Sequence, residues 1–297
     1  MYDVAELPGG RLVCALHAAP VCHRCGVDFS FTWEDSDEEE QSGRTTSMTG
    51  YRESTPHDTP NTPSRILPNL PRGTGRTFPS EFTPWPETVT PMELFSRRRQ
   101  VGLFTRLVHR GDPQACLVFT DGACLGNGGA NPRAGWAFVH GKSGKGRNAT
   151  YHIVQNRLER TGVFGVGRTI QTSNRAELRA VIAALRFNNW RSEGFRRLVI
   201  ATDSEYVVEG ATNWARSWVR RGWCTRTGDP VKNKDLWELL LGQVERSRSS
   251  GLEVELWRVP REWNEVADEA AKEAAAEGGA PLEFHDVVGL EFLWNAG

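Results

Sequence analysis

The chain has 297 residues, of which 38% are hydrophobic and 25% charged, with a formal net charge of −1 at neutral pH. That length fits one sizeable domain with extensions, and the balanced charge excludes a surface that is basic throughout, so a polyanionic partner can be met only by a local patch. No stretch approaches the roughly eighteen uninterrupted apolar residues of a membrane span, and the first thirty residues lack the basic-then-apolar order of a secretory signal. The expectation is therefore a soluble protein of the nucleus or cytoplasm, neither secreted nor membrane-bound.

Six cysteines are too few for a disulfide scaffold in a chain this long, and three of them crowd between positions 14 and 25. The pattern Cys14-x2-His17-x4-Cys22-x2-Cys25 supplies four soft ligands in two close pairs, the spacing of a small structural zinc site, and His23 is an alternative to His17. Residues 1–33 are too short for a core of their own, so one Zn²⁺ would be what folds them. Residues 34–92 open with an acidic run (Glu34, Asp35, Asp37 to Glu40) and continue in Ser, Thr and Pro with few aliphatics. Such a composition buries little apolar area against a chain entropy of about 1–2 kcal/mol per residue, and predicts a disordered linker.

Residues 93–280 carry the pattern of a packed α/β domain. Cys116-Leu-Val-Phe-Thr120 predicts a strand ending at Asp121; Gly135 to Val139 and Tyr151 to Val154 add two more in an antiparallel meander. A helix is expected over Ala176 to Asn189, where Leu178, Val181, Ile182 and Leu185 form one apolar stripe and Glu177 lies in the first turn. Leu198 to Ala201 predicts a strand ending at Asp203, with Ser204 as the cap of the next helix. Between Asn213 and Trp237 the tryptophans Trp214, Trp218, Trp223 and Trp237 alternate with Arg216, Arg220, Arg221, Arg226, Lys232 and Lys234. Aromatic faces interleaved with cations suit a groove that holds sugar faces and phosphates, although Trp214 and Trp218, four apart, equally fit simple helix packing. Leu236, Leu239, Leu240 and Val244 mark a helix, Val254 to Trp257 a strand, and Asn264 the cap of an alanine-rich helix holding Asp268. Beyond Gly278, the tail at 281–297 is apolar enough to pack on the domain.

Asp121 and Asp203 thus fall at strand ends and Glu177 and Asp268 in first helical turns, where chain segments distant in sequence can converge. Any one of these acids alone reads as an ordinary cap or dipole partner. Together, several carboxylates suit a hard divalent cation that keeps some of its waters and takes phosphate oxygens, and two such ions can activate a water and stabilise the leaving oxygen of a phosphodiester.

The wording around the acids sharpens this. Phe119-Thr-Asp-Gly-Ala-Cys-Leu-Gly-Asn127, Thr172-Ser-Asn-Arg-Ala-Glu-Leu178, Ala201-Thr-Asp-Ser-Glu-Tyr-Val207 and Trp263-Asn-Glu-Val-Ala-Asp268 resemble, in order, the signatures of type I ribonuclease H. Trp214 to Trp223 and Pro230 to Trp237 resemble that family's substrate-binding helix and loop, and the likeness spans roughly Cys116 to Ala276. The resemblance implies an α/β ribonuclease H-like fold with a five-stranded mixed sheet flanked by helices, here beside a small metal-stabilised segment. It implies hydrolysis of the RNA strand of RNA–DNA hybrids with two Mg²⁺ ions, for which Mn²⁺ can substitute, leaving a 5′-phosphate. Asp121, Glu177, Asp203 and Asp268 match the family's metal-binding acids, Asp121 bridging both ions. Asn127 and Thr172 match contacts to the DNA strand, Asn174 and Arg175 positions near the RNA, and Asn233 a phosphate contact. Asn174 also fits a helix cap. Between Trp257 and Asn264 the sequence departs, reading Arg258-Val-Pro-Arg-Glu-Trp263 where many members carry a flexible histidine, which resembles a fungal-like variant. Arg261 or Glu262 would take over part of that task, though neither titrates near neutral pH when unperturbed. Two other readings compete: a nuclease of the same fold with another substrate, and a non-catalytic hybrid-binding module.

Overall fold

The structure, a computed structural model, describes residues 4–7, 11–14, 17–18, 21–22, 27–28, 70–144, 149–287 and 289. At the amino end β1 (Val4–Leu7) pairs antiparallel with β2 (Arg11–Cys14), and β3 (Val21–Cys22) with β4 (Val27–Asp28). The main body then runs β5 (Ser80–Glu81), α1 (Pro91–Leu94), β6 (Arg97–Val101), β7 (Phe104–Val108), β8 (Ala115–Leu125), β9 (Arg133–Ser143), β10 (Thr150–Arg157) and α2 (Ser173–Phe187). After β11 (Arg197–Thr202) come α3 (Glu205–Glu209), a π-helical turn (Gly210–Trp214), α4 (Ala215–Arg220), α5 (Lys234–Ser249), β12 (Glu253–Arg258) and α6 (Glu265–Ala276).

The five strands expected from the sequence form the centre of the sheet, in the order β10-β9-β8-β11-β12. The first three are antiparallel, and β8, β11 and β12 are parallel. Side chains alternate across it, so that Cys116, Val118, Leu198 and Ile200 join the core under α2 and α5 while Leu117, Phe119, Val199 and Ala201 join a second core on the other face. Burial on both faces is why β8 and β11 read as continuous apolar runs rather than as alternating ones.

Residues 70–92, expected as the end of a disordered linker, instead form the outer wall of the domain. Gly73 lays its backbone directly on α5, donating to the Glu238 carbonyl at 2.7 Å. A β-carbon on Gly73 would meet that of Leu241 at 2.6 Å, and one on Gly242 would meet the Pro71 carbonyl oxygen at 2.2 Å. The scarcity of side-chain bulk that reads as disorder is thus what allows two backbones to touch. The Glu245 carboxylate accepts from the Thr74 amide, the Thr74 hydroxyl and the Arg76 amide at 2.9–3.0 Å, and these donors hold its pKa below the usual range against the effect of burial. β5 then adds in parallel to the free edge of β12, and Phe82, Val89, Leu94 and Phe95 close the second core over Trp257 and Leu117. Thr90 and Glu93 cap α1 reciprocally, with Pro91 at its first position. The hairpin of β6 and β7 joins β8 at Leu117 and Cys116. The tail from Pro281 to Asp286 returns to α2: Arg160 and Thr161 donate to the carbonyls of Pro281 and Leu282, Arg179 lies over the Phe284 ring, and Arg186 pairs with Asp286.

Candidate active site

Asp121 does not end its strand. β8 continues through it to Leu125, paired against β9, and the acid is buried, 5% exposed, in the middle of the ladder. The next residue, Gly122, explains how a helix reaches it, since a β-carbon there would sit 2.1 Å from the Glu177 nitrogen. Because α2 starts at Ser173, three residues before the expected Ala176, Glu177 lies past its first turn, and only glycine lets the helix press there onto the strand and bring Glu177 beside Asp121. Asp203 comes directly after the last residue of β11, one strand over, and Asp268 lies in the first turn of α6.

The electrostatics show that the four acids form one group. Burial pushes Asp121 well above its ordinary range, and the charges of Asp203, Glu177 and Asp268 push in the same direction. Asp203 is also raised, first by burial, against a lowering hydrogen bond from Asn264. Each acid has its own support. The Gly122 amide donates to Asp121 Oδ1 at 2.7 Å, the Ser204 hydroxyl to Glu177 Oε2 at 2.5 Å and the Asn264 amide to Asp203 Oδ1 at 2.9 Å. Arg261 and Lys272 each pair with Asp268 at 2.6 Å. Among the described residues no three His, Cys, Asp or Glu side chains form a ready-made metal cage. The donor set is nonetheless oxygen only, which fits a cation that completes its shell with water and substrate rather than with protein alone.

The expected substrate residues divide. Thr172 is the N-cap of α2, its hydroxyl accepting from the Arg175 amide at 3.2 Å, so the cap alternative for Asn174 passes to Thr172. Arg175 is 4% exposed, makes a two-pronged pair with Asp235 at 2.8 and 2.5 Å and leans on Asn233 at 3.4 Å. Local spacing carries no sign of this, because the partner lies on α5, 60 positions away. Asn233 adopts a left-handed conformation at φ 55°, held between Arg175 and the Tyr206 hydroxyl. Asn127 is buried, 8% exposed, just past β8. Trp214 and Trp218 lie half-buried in a chain of rings with Tyr206 and the fully buried Trp237, at centroid distances of 5.3–6.5 Å, which is the packing role. Trp223 is half-buried in the turn after α4. Arg216, Arg220 and Arg221 are exposed, and Arg216 stacks on Phe78 of the outer wall at 4.4 Å.

Asn264 stands at the start of α6 but its side chain does not cap the helix; it goes to Asp203 and to the Thr120 carbonyl. Of the amino-terminal set, Cys25 and the alternative ligand His23 lie outside the described residues. Cys14 and Cys22 close β2 and β3, and His17 is exposed in a turn.

The sequence model of the RNase H family matches residues 113–276. A ribonuclease HI of Xylella fastidiosa is 41% identical over 129 residues, covering 43% of this chain and 71% of the relative. A ribonuclease H of Chromohalobacter salexigens is 36% identical over 172 residues, 56% of this chain and 88% of the relative. A solved type 1 RNase H with the type 2 active-site motif aligns at 29% identity and a TM-score of 0.36, over 55% of this chain and 72% of that one. The matched segment opens just before the strand of Asp121, closes at the end of the helix of Asp268 and takes in more than half of the chain: this protein belongs to the ribonuclease H family.

Proposed function

We propose that the chain is an endonuclease that hydrolyses the RNA strand of RNA–DNA hybrids with two divalent cations, Mg²⁺ first and Mn²⁺ as a substitute, leaving a 5′-phosphate. The observation that carries this reading is the state of Asp121, a buried carboxylate repelled by three others within the frame of the RNase H family. Like charges gathered in a low-dielectric site are unfavourable unless positive charge joins them, and the pairs made by Arg261 and Lys272 go to Asp268. Asp121, Glu177, Asp203 and Asp268 would hold the cations. When bound, these supply activation of the attacking water and stabilisation of the departing 3′ oxygen.

The protein's own residues prepare that chemistry. Ser204 and Asn264 aim two of the carboxylates. Arg261, from the loop where many family members carry histidine, holds Asp268 and so orients a carboxylate there. Telling RNA from DNA requires groups at the ribose 2′-hydroxyl, a task for Asn174 and the half-buried Glu177. Asn127 and Thr172 would meet the DNA strand and Asn233 a phosphate, with Arg220 and Arg221 supplying the basic patch.

The test is cleavage of a labelled RNA–DNA hybrid beside RNA–RNA and DNA–DNA duplexes, with and without Mg²⁺. Asp121→Asn is expected to abolish hybrid cleavage while leaving the fold intact, because an amide cannot hold cations together; near-normal cleavage by that variant overturns the assignment. We also propose one structural Zn²⁺ on Cys14, His17 (or His23), Cys22 and Cys25, supported by the ligand spacing and by the closing positions of Cys14 and Cys22 in their strands. Metal analysis of protein purified under reducing, chelator-free conditions should give about one equivalent, lost in the Cys22→Ser, Cys25→Ser variant; a zinc-free native protein refutes this.

A further inference from the structure

Asn264 is read from sequence as a helix cap, yet its side chain behaves in every contact as a donor rather than as an acceptor. A cap side chain accepts from the first amides of its helix, and Ser, Thr or Asp serve as well as Asn. Here no such bond forms. Instead the buried amide nitrogen, in a residue 1% exposed, donates to the carbonyl of Thr120 at 3.1 Å and to Asp203 Oδ1 at 2.9 Å. Thr120 precedes Asp121 on β8 and Asp203 follows directly on β11, so one NH₂ group bridges two neighbouring strands at the acids they present. The same residue's backbone carbonyl accepts the backbone N–H of Asp268 at 3.1 Å and of Ala267 at 3.0 Å. The side chain thus holds the Asp203 carboxylate and the strand residue just before Asp121, the bond to the Asp268 backbone belongs to the main chain whatever residue stands at 264, and Glu177 is held by Ser204.

The arrangement is costly, which argues that the donors matter. Asn264 Oδ1 is buried and has no hydrogen-bond partner among the described residues, and an unsatisfied buried acceptor is unfavourable. A serine or threonine would avoid that orphan, and an aspartate would cap well but set a second carboxylate against Asp203. Asparagine alone among the good caps offers two N–H donors on one atom.

Resting on the reading of the four acids as cation ligands, we propose that Asn264 is a positioning residue: its side chain fixes the spacing of Asp121 and Asp203 before any cation arrives. It touches neither substrate nor reacting atoms, and acts through the acids. Because residues behind metal ligands typically contribute roughly 10–100-fold to metal affinity or activity, its loss should register in cation binding itself and not only in turnover.

The experiment compares the full-length protein with Asn264→Ala, Asn264→Ser and Asp121→Asn by three measurements: calorimetric titration with Mg²⁺ in the absence of nucleic acid, kcat and KM on a labelled hybrid, and thermal melting. A mere cap role predicts that Asn264→Ser matches the parent, since serine caps as well as asparagine. The positioning role predicts that Asn264→Ser falls with Asn264→Ala, both weakening Mg²⁺ binding and lowering kcat by roughly 10–100-fold at nearly constant KM. Should Asn264→Ala fail to fold, Asn264→Ser carries the test alone. Parent-like Mg²⁺ binding and kcat in folded Asn264→Ser overturn the proposal. If Asp121→Asn is inactive in that case, the acids keep their role and only the positioning role falls; cleavage by Asp121→Asn would instead remove the reading beneath it.

Discussion

A glycine decides how near a helix can come to a strand in this site. Gly122 faces the Glu177 nitrogen so closely that a methyl group, at 2.1 Å, has no room, and the start of α2 must retreat in Gly122→Ala. Overpacking of this kind costs about 1–3 kcal/mol, and a displacement of about 1 Å in a catalytic group can cost on the order of a hundredfold in rate. Denaturant unfolding and hybrid cleavage of Gly122→Ala should show both losses; a variant with parental kcat would mean that the Asp121–Glu177 spacing is not critical. At this scale the four acids are legible in the sequence because each stands in a run of distinctive neighbours. Their supports are less so. Asn264 and a true cap are the same letter, and nothing local distinguishes donating from accepting. The pairing of Arg175 with Asp235 depends on which elements cross, and that of Arg261 with Asp268 on how the loop before α6 folds back, neither of which residue spacing alone reveals; Lys272, four residues after Asp268 on the same helix, is the pair that spacing does show.

Among elements, the segment from the π-helical turn through α4 carries the basic patch, and its arginines are not equivalent. All three are exposed, but Arg216 is stacked on Phe78 and donates to the Thr212 carbonyl, so Arg220 and Arg221 are the pair to test. Each phosphate neutralised releases counterions, so replacing both by alanine should lower the salt slope of hybrid binding by roughly one to two units with little change in turnover at saturation. Binding measured in Ca²⁺ across a salt series checks this; an unchanged slope would leave the patch without a nucleic-acid role. The central strands and α2, α5 and α6 are legible from apolar periodicity. The wall at residues 70–92 is not, because its stabilising partners are distant: Glu238, Glu245 and Leu256 lie on α5 and β12. Composition weighs a segment by what it can bury alone, and this one is buried by others.

Over the whole molecule, acid should be the destabilising direction at one buried cluster. His140, 2% exposed, accepts from Arg106 at 2.6 Å on its Nδ1, and burial, then the charges of Arg106 and His152, pushes its pKa down to about 3. The folded state thus refuses a proton that the unfolded chain takes up below its ordinary value of 6.5. The stability that His140 contributes is present above that value and is lost as pH falls from there towards 3, with a slope of up to about 1.4 kcal/mol per pH unit. Asp121 and Asp203, shifted upward, work in the opposite sense, so the comparison that isolates the histidine is parent against His140→Gln. Unfolding free energies measured between about pH 7 and 5 should converge as pH falls; parallel curves would refute the assignment.

The strand order also has a consequence in time. β5 leaves the ribosome early, but Glu81 pairs with Leu256, 175 positions later. At roughly 5–20 residues per second, that partner is synthesised about 10–35 s afterwards. A long apolar strand waiting so long would be an invitation to other chains. The waiting strand is instead two residues, a serine and a glutamate, both exposed in the finished fold. Its brevity and its charge keep it harmless while it waits, and the hydrogen bonds with which it finally covers β12 need little more than a backbone.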